Sequence, residues 1–188
     1  QPRAPTREGG GLQLFSDKSI WTMLHGIVFG GGAMLALIGA LVAFYLLGRE
    51  PARIPTASEA RFTTQLAALS AVLTWLSTLV GIYIVFPYYR AAPPEGATDL
   101  TAYPRAFVMS SPETAWLHTY AMESKEHVPL IASILATAVA YVAWRYGRKA
   151  IADPRLRRGS IALLAIAFVL VTYVSLLGIF VNKVAPVE

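Results

Sequence analysis

The sequence predicts an all-α membrane protein: four transmembrane helices in a bundle, both termini outside, and a long helix leading into the third span. Three observations predict it. Of 188 residues, 55% are apolar and 14% charged, with a mean hydropathy of +0.52. The charges cluster, leaving runs of about twenty nearly uncharged residues, the length that crosses a hydrocarbon core at about 1.5 Å per residue. Lys and Arg concentrate in the two short loops between spans. These features exclude a disordered tail, a collagen-like rod and most soluble domains. Cysteine is absent, which excludes disulfides, thiolate metal sites and haem attached through Cys.

Residues 1–18 read as a polar outer arm, broken by Pro2, Pro5 and Gly9-Gly10-Gly11. A start at Gln1 rather than Met suggests a processed, exported N-terminus. Residues 19–188 form the four-helix domain. The spans are expected at about 20–47, 64–86, 128–144 and 160–181, with Trp21 anchoring the first and Pro87-Tyr88-Tyr89-Arg90 ending the second. Residues 87–127 form an outer loop and pre-helix. Ser111-Pro112-Glu113 is a helix-start signal: an N-cap, a proline at the first helical position and an acid in the first turn. One helix should therefore run from about Pro112 into the third span, bent at Pro129.

Orientation follows from the cations. Arg49, Arg53, Arg61, Arg145, Arg148, Lys149, Arg155, Arg157 and Arg158 lie in the two short loops. Seven others (Arg3, Arg7, Lys18, Arg90, Arg105, Lys125 and Lys183) are spread over much more chain, together with eight of the eleven acids. The short loops are thus expected in the cytoplasm. Arg155, Arg157 and Arg158 read as a topology signal facing anionic lipid, not as a nucleic-acid site. No acid or base lies in the middle of a span, against an ion-coupled transporter. Neither G-x-S-x-G nor a P-loop occurs, and nothing identifies an enzyme.

The candidate chemistry rests on three histidines, His25, His118 and His127, all near the expected outer boundary. A haem b held by two helices needs two neutral imidazoles opposed across an iron. His25 and His127 are the expected axial ligands, with His118 the substitute for either. At about 100° per residue, His118 and His127 point to opposite faces and cannot easily share one site. Gly32, Ala36, Gly39 and Ala43 fall near the face of His25, where a flat macrocycle could lie with its propionates toward Arg90, Arg105 or Lys125. The same spacing also packs membrane helices together. Glu123, one turn before His127, and Met122 are candidate neighbours of the site. A quinone or metal site at Glu123 and His127 is one alternative. A solvated interfacial turn without cofactor is the other.

Four spans with histidines near one face resemble the haem-bearing membrane subunits of bacterial redox complexes. The resemblance implies a multi-pass subunit of the bacterial cytoplasmic membrane, partnered by other membrane subunits of a respiratory or photosynthetic complex. Four-helix cytochromes b usually place histidine pairs toward both faces. Here none lies near the cytoplasmic side, so the resemblance implies at most one haem, near the outer face.

Overall fold

A computed structural model describes residues 15–50 and 53–186. The polar arm expected over residues 1–18 lies outside the described residues for 1–14. Four helices are long and apolar enough to cross a membrane: α1 (Asp17–Leu47), α2 (Ala57–Arg90), α4 (Pro112–Tyr146) and α6 (Pro154–Val184). Two short helices complete the fold, α3 (Pro104–Met109) in the long loop and α5 (Arg148–Ala152) between α4 and α6.

Each long helix starts where its sequence caps it. Ser16 accepts from the Ser19 N–H ahead of α1. Thr56 and Glu59 form a reciprocal capping box at α2, and Ser111 and Asp153 cap α4 and α6. The helix-start signal at Ser111-Pro112-Glu113 opens a helical stretch that continues to Tyr146, with Pro129 inside it.

The second helix departs from the sequence expectation. It does not stop at Pro87 but continues to Arg90. Proline cannot bond the carbonyl four residues back and its ring crowds it. The preceding turn, Gly81–Val85, widens to π-helical geometry, and the chain passes the proline without breaking.

α1 packs against α2 and α6, and α4 packs against the same two helices. The main core is Leu37, Ala40 and Phe44 of α1, Ala67 and Ala71 of α2, Ala132, Ala136 and Val139 of α4, and Leu164 and Ala167 of α6. Its alanines let the helices approach closely, the usual way apolar helices associate where water supplies no driving force between them. Hydrogen bonds cross between α2 and α4 at three levels. Thr78 and Ser133 join at 3.2 Å, the Trp75 indole donates to Thr137 at 3.0 Å, and the Thr64 hydroxyl donates to the Ala143 carbonyl at 3.2 Å.

A second core forms where the long loop meets the helices. Tyr89, Val108, Leu117, Ala121 and Met122 pack on Leu177, Val181 and Ala185. The loop is thus docked by α3 onto the end of α2, the start of α4 and the end of α6. That end carries all three histidines, and the opposite end carries the arginine-rich short loops.

Candidate histidine-end site

Among the described residues three helical segments are π-helical: Leu24–Gly31 in α1, Gly81–Val85 in α2 and Leu117–Met122 in α4. All three lie at the histidine end. Two contain a histidine, and the third packs against one. Widening a helix releases backbone groups from their regular partners, and such segments recur at functional sites.

His25 lies in the first π segment, half-buried against α2. Its Nδ1 lies 2.8 Å from the Ser77 carbonyl. A carbonyl oxygen only accepts, so Nδ1 carries the proton and donates. In the neutral ring, Nε2 then holds the free lone pair, and no described residue bonds it. The Ser77 hydroxyl returns a bond to the His25 carbonyl at 3.2 Å. The ring lies close enough to Gly81 that a Cβ there would come within 2.7 Å of His25 Cε1. Only glycine leaves room for this approach.

His127 bonds within its own helix. Its Nδ1–H donates to the Glu123 carbonyl at 2.8 Å, and the ring is exposed. It has the same tautomer as His25 and the same open Nε2. His118 lies 3.3 Å through Nδ1 from the Tyr89 hydroxyl, its ring tilted against the Tyr89 ring at 5.9 Å. The three histidines therefore have three separate partners: Ser77 of α2 for His25, Glu123 of its own helix for His127, and Tyr89 at the end of α2 for His118. The face count that separated His118 from His127 assumed regular α-geometry, which the intervening π segment interrupts.

The remaining sequence candidates divide. Gly32 and Gly39 meet Leu73 and Leu66 of α2, a Cβ on them lying 3.2 and 3.6 Å from leucine methyls. They are contact points between helices. Met122 is buried in the second core, and Glu123 is exposed, its carbonyl serving His127. At the opposite end Arg155 and Arg158 are exposed. Arg157 is not: it donates to the Ile151 carbonyl at 3.0 Å and lies over Gly48, where no Cβ would fit. It ties the two short loops together.

Lys125 is the residue that sequence reasoning underrated. It reads either as a propionate partner or as part of a solvated Glu–Lys turn, yet it is half-buried, with Nζ against the α6 backbone, 2.5 Å from where a Gly178 Cβ would stand. Among the described residues the one ion pair is Arg53 with Glu59, so no carboxylate pairs with Lys125. Its signal was present in the periodicity: Lys125 stands seven residues before buried Ala132 and four after buried Ala121, on the inward stripe. Beside it Tyr173 donates to Tyr120 at 2.6 Å and meets Ser124 at 3.4 Å, linking α6 to α4.

Chemically, this end offers imidazoles with Nε2 open and an unpaired ammonium among apolar helices. The four apolar helices are compatible with a multi-pass membrane protein. No protein-family model, curated protein or solved structure matches the chain.

Proposed function

We propose that the chain is a membrane subunit of a larger redox complex, holding one b-type haem at the histidine end and carrying electrons there. In this reading it lies in a bacterial cytoplasmic membrane, with that end and both termini outside and the arginine-rich loops inside. Other membrane subunits are its partners.

The observation that supports the reading best is the ring of His25. An imidazole that would hold a haem iron needs a neutral ring whose second nitrogen is held by an acceptor, which fixes its orientation and raises the basicity of the ligating nitrogen. The Ser77 carbonyl does this at 2.8 Å, and Gly81 clears the space for it. His127 has the same arrangement on the Glu123 carbonyl. Its exposed ring favours a haem at the boundary with a neighbouring subunit, with His25 and His127 as the ligands offered by this chain and His118 as the substitute. The Gly32 and Gly39 face does not fit the macrocycle, because Leu73 and Leu66 occupy it. Lys125 would balance a propionate. When bound, the haem supplies reversible one-electron transfer; the chain orients the imidazole, excludes water with its apolar helices and provides a counter-charge.

A second reading, a cofactor-free structural or assembly subunit, is favoured by the same filled Gly32 and Gly39 face. The reduced-minus-oxidised spectrum of the complex purified through this chain separates the two. A b-type band that His25→Ala abolishes, with the chain still assembled, is the expected result. A complex without that band, or one in which His25→Ala and His127→Ala both leave it untouched, overturns the haem proposal.

A further inference from the structure

The arginine end holds a groove between α2 and α4, independent of whatever the histidine end binds. It has a volume of about 370 Å³ and is lined by Arg61, Gln65, Trp144 and Arg148 over a floor of small residues, including Ala60 and Ala143. The small residues make the groove. The Thr64 hydroxyl draws the two helices together beneath it at 3.2 Å from the Ala143 carbonyl, and alanines leave the space above that contact unfilled. Gly147, with a φ of +51°, turns the chain sharply at the end of α4 and carries Arg148 to the rim.

The lining is one-sided in charge. Two of its lining residues, Arg61 and Arg148, are cationic, Gln65 and Trp144 are polar or carry an N–H, and none is acidic, while the walls themselves are mainly apolar. Neither Arg61 nor Arg148 makes an ion pair among the described residues. Both are exposed, and Trp144 is 71% exposed. The level is also telling. Trp144 closes the apolar stretch of α4, and Arg61 precedes that of α2 by three residues, so apolar wall and cationic rim meet where hydrocarbon gives way to headgroups. Guanidiniums grip a phosphate through paired N–H donors, and an indole at this depth covers the glycerol region.

We propose that this groove is a binding site for an anionic phospholipid, its phosphate between Arg61 and Arg148 and its glycerol and upper acyl chains along Ala60, Ala143 and Trp144. The site is distinct from the exposed pair Arg155 and Arg158, which lines no part of it.

The test is native mass spectrometry of the full-length detergent-purified protein titrated with phosphatidylglycerol or phosphatidylcholine. Phosphatidylglycerol is expected to bind the wild type at least tenfold more tightly. Arg61→Gln/Arg148→Gln is expected to lose roughly fivefold in affinity per arginine, while Arg155→Gln/Arg158→Gln keeps wild-type affinity. Equal affinity for the two lipids, or equal loss in both double variants, overturns the proposal. A second measurement does not depend on the arginine variants. Brominated phosphatidylglycerol should quench tryptophan fluorescence more than brominated phosphatidylcholine, and Trp144→Phe should remove that excess. An excess that survives Trp144→Phe places the lipid elsewhere and contradicts the site.

Discussion

The two ends of this molecule are built from the same four helices and solve different problems. At the arginine end the helices are regular, α2 and α6 begin with side-chain caps, and most cations lie exposed around a shallow groove, although Arg157 and the Thr64 hydroxyl each donate to a backbone carbonyl. At the histidine end three of the four helices widen into π turns, and side chains reach across to backbone groups. The exchange between His25 and Ser77 is the clearest case: each side chain donates to the other residue's carbonyl. In an apolar surrounding every backbone group needs a partner. Irregular geometry persists at the histidine end because an imidazole and a hydroxyl supply the partners that regular helices provide for themselves. Polarity and irregularity therefore occur together, and an ordinary apolar helix pair would need neither.

Glycine substitutions break this comparison most directly. Gly81→Ala puts a Cβ within 2.7 Å of a ring held by a hydrogen bond, and we expect a loss of about 1–3 kcal/mol from overpacking. Gly39→Ala, toward the arginine end, meets only leucine methyls at 3.6 Å and 3.8 Å. It is expected to be neutral or to stabilise by up to about 1 kcal/mol through helix propensity. Thermal unfolding of the two variants in the same detergent measures the difference. Equal effects would mean that the His25 contact is soft.

Lys125 sharpens the contrast with the opposite sign. An unpaired ammonium among apolar helices carries a desolvation cost that a thioether does not. Lys125→Met is expected to raise the stability of the ligand-free chain by about 1–3 kcal/mol in a titration with denaturing detergent. A lower stability would show that the fold, and not a bound anion, is what keeps the lysine. The smallest effect is expected midway between the ends. Thr137→Val removes the acceptor of the Trp75 indole and should cost about 0.6 kcal/mol by the same titration, the usual worth of a hydrogen bond between membrane helices.

Much of the frame was legible from residues alone. Four apolar runs located the long helices, and Ser111-Pro112-Glu113 located the start of α4 because caps act locally. The π segments were not legible. They depend on bonds between helices, such as the one from His25 to the Ser77 carbonyl, and no local pattern encodes them. Gly30-Gly31-Gly32 and Pro87 marked only the places where a helix could yield. Counting at a fixed angle per residue through Leu117–Met122 gave a face relation for His118 and His127 that ignored the widened turn. The small residues of α1 were read both as a packing surface and as a cofactor face, since both uses call for the same glycines; Leu66 and Leu73 are what sits there. Lys125 was hidden by its neighbours: amid Glu123, Ser124 and Glu126 it looked solvated, although its register placed it inward.

A ligand role for His25 depends on which of its ring nitrogens carries the proton. Nitrogen-15 NMR of the histidine-labelled protein, assigned through His25→Gln, measures it directly. A protonated Nδ1 with Nε2 unprotonated or metal-bound is the expected signature, unchanged in Ser77→Ala, which removes the hydroxyl and keeps the carbonyl. A neutral ring protonated on Nε2 would contradict the bond to the Ser77 carbonyl and the ligand role built on it.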